Sequence, residues 1–217
     1  MANRWPAWCM RTVAASDRRR LARLARRHAG FEVDPSASSA LATGTFHLDP
    51  GARVRIGAGV VTERRHGGLR MAVREGGEVW LGERTWLRSD LAPVLLYVYE
   101  GARLEIGPES FLNGCMISAK AGVKLGRGVW VGPGSRVFDA DQHALDADTP
   151  ERCEPCEIGD HAWLAADVTV LRGVTIGAHS VIGTRSVVSS DIPPHSLAYG
   201  SPARVRGTVG DRSQVRI

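Results

Sequence analysis

Aliphatic residues recur every six positions along the C-terminal half of the chain. The clearest series covers six consecutive repeats, at Ile158, Leu164, Val170, Ile176, Ile182 and Val188. Mostly small or β-branched residues stand four positions after them, and a glycine directly follows three of them. The same register, again with a following glycine, is found upstream at Leu125, Val131, Ile106, Leu81 and Ile56. One period therefore organises most of the chain.

A six-residue period fits neither a helix nor a simple strand. A helix places apolar residues at i, i+3, i+4 and i+7, and a half-buried strand alternates every two residues. Six residues suit a short strand followed by a sharp turn, where glycine supplies backbone freedom. Three such units make a triangular coil of about 18 residues, and successive coils stack about 4.8 Å apart as parallel strands. The pattern predicts an all-β solenoid, a parallel β-helix with the aliphatic side chains inside.

The repeat divides the chain into three parts. Residues 1–45 precede it, residues 46–200 form the predicted β-helix, and residues 201–217 form a C-terminal tail, which is polar from Thr208 onward and which we expect to fray there. The early coils are less regular than the late ones, with spacings that drift from six. A long loop at 139–157 interrupts the repeat, and two prolines at 193–194 end it because proline cannot donate to a strand ladder.

The N-terminal segment is predicted to contain a helix over residues 17–28. Ser16 is placed to cap its N-terminus and Gly30 to end it. Leu21 and Leu24 fall on one face, and arginines fill the other. We expect this helix to cover the first coil, whose strand edge would otherwise be unpaired.

Positive charge is concentrated in the same segment. The net charge of the whole chain is +5, but residues 1–30 contain eight arginines and one acid, Asp17, so the rest of the chain sums to −2. A near-neutral body argues against nucleic-acid binding. Weak attachment of the basic segment to an anionic membrane surface is a further role, compatible with its covering the first coil.

The composition is that of a soluble globular protein, with 43% hydrophobic and 24% charged residues. No apolar run reaches the roughly 18 residues of a membrane span, and the first thirty residues lack the apolar segment of a secretory signal. Four cysteines do not suggest a disulfide framework. Cys153 and Cys156 have the spacing of half a zinc site, but the other half is missing, and we interpret them as incidental thiols. The sequence therefore predicts a cytoplasmic protein.

The loop at 139–157 carries the groups best suited to catalysis. Its histidine, His143, has a side chain that titrates near neutral pH and can serve as a general base. A neighbouring carboxylate would hold the tautomer of the ring and stabilise its protonated form. Asp139, Asp141 and Asp146 are the candidates for this carboxylate, and the first two are nearer to the histidine in sequence.

Residues 158–204 resemble the hexapeptide-repeat acyltransferases. Residues 111–137, His143 and residues 162–204 are most similar to the sugar O-acetyltransferases, the group that includes the maltose and galactoside acetyltransferases. The resemblance covers roughly residues 100–207. It implies a left-handed β-helix, an acyl group carried by coenzyme A, and a homotrimer with each active site between neighbouring subunits.

The resemblance also implies roles for single residues. His143 matches the catalytic base of the family, and Asn113 matches an asparagine that contacts the acyl acceptor or the developing oxyanion. A turn or ladder asparagine is the structural alternative for Asn113. Trp163 matches an aromatic residue along the acyl or pantetheine end, and the backbone N–H of Ala166 matches a donor to the thioester oxygen.

Three further residues match the coenzyme side of the family's groove. Thr184 and Arg185 correspond to a turn near the pantetheine arm. Arg204 ends the segment Gly-Ser-Pro-Ala-Arg at 200–204, whose basic residue approaches the nucleotide phosphates in the family, a role that suits the planar guanidinium.

Two positions depart from the family pattern. Ser190 stands where relatives often carry a lysine, so part of the phosphate contact is expected from elsewhere, with Arg172 and Arg206 as candidates. Ala144 stands where many relatives have a proline after the catalytic histidine, which weakens the rigidity of the loop rather than its chemistry.

The sequence thus predicts a coenzyme A-dependent O-acyltransferase, most readily an acetyltransferase that uses acetyl-CoA, acting on a hydroxyl of a sugar or sugar-containing acceptor without a metal. A zinc carbonic anhydrase of the same fold is the first alternative. His161 and His179 are one coil apart and should stack, although the histidine pair five residues apart that those enzymes use is missing. A non-catalytic β-helical scaffold is the second alternative.

Overall fold

A computed structural model describes residues 7–216, and three sheets of short strands form the faces of a triangular prism within them. The predicted parallel β-helix is confirmed. One α-helix, α1 (Ala7–Arg27), and a 3-10 helix (Ser39–Thr43) precede or interrupt the first coils. Every strand pairing is parallel except the last one.

The strands are numbered in chain order, and each sheet takes about every third strand. Sheet A contains β1 (Phe31–Val33), β3 (Arg53–Ile56), β6 (Glu78–Leu81), β9 (Arg103–Ile106), β12 (Val123–Leu125), β15 (Cys156–Ile158) and β18 (Thr175–Ile176). Sheet B contains β2 (Thr45–Leu48), β5 (Leu69–Val73), β8 (Val94–Val98), β11 (Met116–Ala119), β14 (Arg136–Phe138), β17 (Thr169–Val170) and β20 (Val187–Val188). Sheet C contains β4 (Val61–Thr62), β7 (Trp86–Arg88), β10 (Phe111–Asn113), β13 (Trp130–Val131), β16 (Trp163–Leu164), β19 (Val181–Ile182), β21 (Ser196–Gly200) and β22 (Ala203–Thr208).

The chain visits the sheets in the order A, C, B, and the turns between them form three edges. The A–C edge includes the turn at 126–129, and the C–B edge includes the turns at 132–135 and 165–168. The B–A edge includes the long loop after β14. These edges locate the site residues described below.

The six-residue repeat supplies the core. The six aliphatic residues from Ile158 to Val188 are all fully buried. On sheet A, Leu125, Ile158 and Ile176 are register partners on successive coils, and their side chains form one inner ladder. Burial of each such side chain contributes about 1.5–3 kcal/mol, so stacking of coil on coil stabilises the solenoid.

The β-helix begins earlier than predicted. Strand β1, Phe31–Val33, already pairs with β3, whereas the sequence placed the start at residue 46. The early coils are also longer, since Val54, Val79 and Leu104 follow one another at intervals of 25 residues. Strands of four or five residues and longer turns account for the drifting spacing that hid the first coil.

The N-terminal helix is longer than predicted. It starts at Ala7 rather than at residue 17, so Ser16 lies inside it and does not cap it. The segment 7–15 contains no glycine or proline, and nothing in it forces a break. Leu21 is buried in the core, as expected for a helix that covers the first coil.

An ion pair with a buried carboxylate fixes this helix to the β-helix. The carboxylate of Asp17 is almost fully buried and pairs with Arg64, in the short loop between β4 and β5. The arginines on the other face, such as Arg19 and Arg23, are exposed. No helix within residues 7–216 is long and apolar enough to cross a membrane. Attachment of the basic face to a membrane surface stays a prediction.

The C-terminal tail is ordered, which contradicts the predicted fraying. Strand β22 pairs with β21 in an antiparallel hairpin. Residues 209–216, here called the C-terminal strap, then run along the A–C edge. The N–H of Val209 donates to the carbonyl of His195 at 2.7 Å, and the N–H of Arg212 donates to Nδ1 of His179 at 3.1 Å. The histidines in the turns thus provide hydrogen-bond acceptors for the backbone of the tail, and the polar composition of the tail could not show this.

Candidate active site

A groove of about 440 Å³ lies along the C–B edge and brings together four of the predicted site residues, Asn113, Trp163, Ala166 and Thr184. Its other walls come from the same turns and strands, at Phe111, Trp130, Gly132, Pro133 and Ala165. The four residues lie within a run of four successive coils, because β10, β13, β16 and β19 follow one another along sheet C. The stacking of coils therefore assembles a site from positions far apart in sequence.

Asn113 presents an unsatisfied acceptor to this groove. The residue is 7% exposed, and its Oδ1 is buried without a hydrogen-bond donor among the described residues. An unpaired buried acceptor costs about 1–3 kcal/mol. A ligand hydroxyl or amide N–H in the groove would supply the missing donor.

The turn after β16 presents an unsatisfied donor. No residue in the described range 7–216 accepts a hydrogen bond from the N–H of Ala166, although its carbonyl accepts one from Arg185 at 3.0 Å. A methyl side chain leaves this N–H open to the groove. The groove thus offers one free donor and one free acceptor.

Aromatic side chains form the wall of the groove toward sheet C. The rings of Trp130 and Trp163 meet edge to face at 6.4 Å, and Trp163 is 37% exposed. Such a wall suits the apolar chain of a pantetheine arm or the face of a sugar ring. The sequence reading missed Trp130, although its place one coil before Trp163 was an available signal.

Arg185, predicted to lie near the pantetheine arm, and Arg204, predicted to contact the phosphates, lie near one end of the groove. The N–H of Gly200 donates to Oγ of Ser186 at 3.1 Å, which holds the 200–204 turn beside the turn of Thr184 and Arg185. Arg185 and Arg204 are both exposed. Two arginines are candidates to replace the lysine that relatives often carry at position 190. The guanidinium of Arg206 stacks on Tyr199, 5.9 Å from the ring centre. Arg172 instead forms an ion pair with Asp141 of the long loop.

His143 lies in the long loop, at the B–A edge. It is exposed, and no described residue is its hydrogen-bond partner. The loop around it is well anchored, by Lys120 to Glu151 at 2.7 Å and by Arg172 to Asp141 and Glu154 at 2.6 and 2.9 Å. A fixed loop thus presents a free imidazole to the outside of the chain.

None of the three aspartates considered as partners of His143 takes that role here. Both oxygens of the buried Asp139 carboxylate accept hydrogen bonds from backbone N–H groups, those of Lys120, Ala121 and Gly122, at 2.6–3.0 Å. The hydrogen bond from Arg172 to Asp141 lowers the pKa of that carboxyl. Asp139 therefore supports the start of the loop, a role that its sequence neighbourhood did not show.

His143 and the groove lie on different edges of one chain. The histidine loop leaves the prism between sheets B and A, and the groove lies between sheets C and B. The groove that contains Asn113 and Ala166 does not include His143.

The histidines of the zinc alternative stack rather than converge. The rings of His161 and His179 lie 5.2 Å apart, as the one-coil spacing predicted, and His195 continues the stack at 4.8 Å from His179. Within residues 7–216, no group of three or more histidine, cysteine or acidic side chains is arranged to hold a metal ion.

The cysteines differ sharply in their surroundings. Burial raises the pKa of Cys115 to about 12 and that of Cys156 to about 11, whereas Cys153 is exposed. The Sγ of Cys156 also donates to the carbonyl of Leu171 at 3.2 Å. Cys153 and Cys156 are therefore not an open pair of thiols.

Alkylation of the folded protein should follow this difference. Because only thiolates react readily, we expect iodoacetamide at neutral pH to modify Cys153 and to leave Cys115 and Cys156 unmodified until denaturant is added. Peptide mass spectrometry checks the three sites separately. Rapid modification of Cys115 in the native protein would contradict its assignment as a core residue.

The matching family model is the bacterial transferase hexapeptide (six repeats), over residues 155–190. This match covers the same coils in which the six-residue period is most regular, and it confirms the resemblance drawn from the sequence.

Two curated proteins are similar to a longer part of the chain. A Schizosaccharomyces pombe protein (strain 972), whose name places it among the acetyltransferases, is 38% identical over 120 residues, 53% of this chain and 57% of the relative. Nodulation protein L of Rhizobium meliloti (strain 1021) is 39% identical over 115 residues, 49% of this chain and 61% of the relative. The chain thus spans less than two thirds of the length of these relatives.

A solved structure shares the fold. The polySia-specific acetyltransferase NeuO superposes with a TM-score of 0.62 at 18% identity, covering 85% of this chain and 83% of that one. The chain therefore has the left-handed parallel β-helix fold that its resemblance implied.

Proposed function

We propose that this protein transfers an acyl group, acetyl in the first instance, from coenzyme A to a hydroxyl of a sugar or sugar-containing acceptor. The observation that carries the proposal is the groove in which the free N–H of Ala166 and the unpaired Oδ1 of Asn113 lie beside Trp163. A thioester carbonyl needs such a donor, and a hydroxyl acceptor needs such an acceptor atom. The acetyltransferase name of the Schizosaccharomyces pombe relative supports the same activity.

The proposed chemistry divides between donors and a base. His143 removes the proton from the acceptor hydroxyl, and the resulting alkoxide oxygen attacks the thioester carbonyl carbon. The N–H of Ala166 donates to the oxyanion of the tetrahedral intermediate, a type of contact worth about 10²–10³ in rate. The carbon–sulfur bond then breaks, and the thiolate of coenzyme A takes the proton from His143.

The separation of His143 and the groove supports the homotrimer that the family resemblance implies. Because one chain places them on different edges, we propose that the loop of one subunit covers the groove of its neighbour, so that each active site lies between two subunits. Light scattering of the purified protein should report three chains. A monomer with full acyl transfer would contradict this arrangement.

The activity is tested by the release of free coenzyme A thiol from acetyl-CoA in the presence of acceptors. Neutral hexoses and disaccharides provide hydroxyl acceptors, and matched amino sugars separate O-transfer from N-transfer. We expect acceptor-dependent thiol release with the hydroxyl acceptors and an O-acetylated product by mass spectrometry. Transfer to the amino sugars alone would overturn the proposed hydroxyl specificity.

Replacement of Asn113 by alanine should lower kcat/KM about 3- to 10-fold, the worth of one neutral hydrogen bond to the acceptor. The melting temperature should stay the same or rise, since the variant removes an unpaired buried acceptor. Kinetics with thermal melting therefore separate the two roles of Asn113. A lower melting temperature with unchanged kinetics would assign the residue to structure alone.

A further inference from the structure

A second pocket lies on the opposite edge of sheet C from the groove. It has a volume of about 310 Å³ and is lined by side chains of the A–C edge, by Trp130 and by the C-terminal strap. The residues of the edge are Arg84, Glu109, Gly128 and His161, and those of the strap are Arg212, Ser213, Val215 and Arg216. Nothing in the acyl-transfer chemistry proposed above uses this pocket.

The floor of the pocket is a column of turn residues. Arg84, Glu109, Gly128 and His161 occupy equivalent positions on successive coils, all with φ between 55° and 62°. The N–H of Gly128 donates to the carbonyl of Pro108, and that of His161 donates to the carbonyl of Arg127. Gly128 alone contributes no side chain, and the ring of His161 packs against it, since a Cβ there would lie 2.6 Å from Nδ1 of His161. The position of the His161 ring on the floor therefore depends on this glycine.

The strap closes the pocket and is itself held by the histidine stack. Val209 and His195 exchange two hydrogen bonds, and the N–H of Arg212 donates to Nδ1 of His179. The Nε of Arg212 donates to the carbonyl of His161 at 3.1 Å. These contacts fix Arg212 over the indole rings of Trp130 and Trp163, 5.0 and 5.2 Å from their centres.

The charge of the pocket is positive and incompletely paired. Three arginines face one glutamate, and the charge of Glu109 is already compensated by Arg84 and Arg127, with an ion-pair distance of 3.3 Å to the latter. No carboxylate among residues 7–216 forms an ion pair with Arg212. A partly buried guanidinium without a counter-ion, beside an aromatic face, is a ready site for an anion.

We propose that this pocket is a second ligand site, which binds the phosphate or carboxylate group of a small molecule between Arg212 and Arg84 and stacks its ring on Trp130. The guanidinium of Arg212 keeps its Nη donors free for a paired contact with two oxygens of the anion. The site shares only Trp130 with the acyl-transfer groove, whose free N–H at Ala166 lies on the other edge of sheet C.

Calorimetric titration of the full chain tests the site with three probes, glucose 6-phosphate, glucuronate and glucose. We expect at least one of the two anionic sugars to bind at one site per chain, and we expect glucose not to bind. Comparison of the affinities of glucose 6-phosphate and glucuronate identifies the preferred anion. The Arg212→Gln variant should weaken binding about 10- to 100-fold, since it removes a charge-assisted contact. The Arg70→Gln variant, which changes an exposed arginine of β5, should bind like the native protein.

A second pair of variants covers the case in which Arg212→Gln releases the strap. Gly128→Ala places a methyl against the ring of His161 and forces that ring out of its position on the floor, and Gly101→Ala places the same methyl at a similar φ of 64° in open space. We expect the first to abolish binding of the anion and the second to leave it unchanged. Equal affinity of all variants for the anionic sugars would overturn the proposal. Loss of anion binding in saturating coenzyme A would also overturn it, because the pocket would then be part of the coenzyme's own site.

Discussion

Replacement of His143 by alanine is expected to lower the rate of acyl transfer about 10²–10⁴-fold, the usual contribution of a positioned general base. The affinity for coenzyme A should hardly change, since the coenzyme groove is built by other residues, on another edge of the prism. Steady-state kinetics with an acceptor, together with calorimetric titration of coenzyme A, measure the two quantities separately.

The loop histidine His66 provides a matched control. It is also exposed on a loop between strands, and its replacement by alanine should leave the rate unchanged. A His143→Ala variant with full activity would contradict the mechanism. A variant that loses coenzyme binding in parallel with activity would instead move His143 into the binding site.

Replacement of Asp139 by alanine is expected to lower the free energy of unfolding by about 3–5 kcal/mol. The fully buried carboxylate accepts hydrogen bonds from three backbone N–H groups, and hydrogen bonds to charged groups contribute about 1.5–3 kcal/mol each, without full additivity. For a chain of this size the loss corresponds to a fall in melting temperature on the order of 10 °C. Differential scanning calorimetry checks it.

Asp146, an exposed acid of the same loop, is the control, and its replacement by alanine should change stability by less than about 0.5 kcal/mol. The Asp139→Asn variant separates the structural role from catalytic positioning. We expect it to lower the melting temperature, with any loss of rate following the loss of loop structure. An unchanged melting temperature with a large fall in kcat would show that Asp139 positions His143 after all.

The fold could be predicted because the aliphatic residues at every sixth position form its core. An aliphatic residue at every sixth position has one low-energy arrangement, an inner ladder, and the six residues from Ile158 to Val188 take it without exception. The first coil at Phe31–Val33 was missed because coils of 25 residues have no such short period. The helix start was misplaced because Ser16 has the chemistry of a cap but lies within a longer helical segment.

The candidate site could be predicted only for residues that lie on the regular strands and turns of the stacked coils. Asn113, Trp163, Ala166 and Thr184 meet in one groove because strand stacking fixes their neighbours. The partners of Asp139 and Asp141 depend on how an irregular loop folds back, and no period encodes that path.

The C-terminal strap shows the same limit. Its sequence is polar and resembles a frayed end, yet three histidines on successive coils hold it through their ring nitrogens and carbonyls. The stacking of His161 on His179 followed from their spacing of one coil. The packing of Arg212 over two tryptophans needs the three-dimensional path of the tail and could not be predicted from composition.

Calorimetric titration with acetyl-CoA, before and after treatment with a chelator, tests the central claim most directly because it needs no acceptor. The account predicts micromolar binding at one site per chain, unchanged by the chelator, and at least several-fold weaker in Trp163→Ala than in Trp80→Ala, whose tryptophan lies on sheet A. Absence of binding, or equal binding by the two variants, would contradict the placement of the coenzyme in the groove between Asn113 and Trp163.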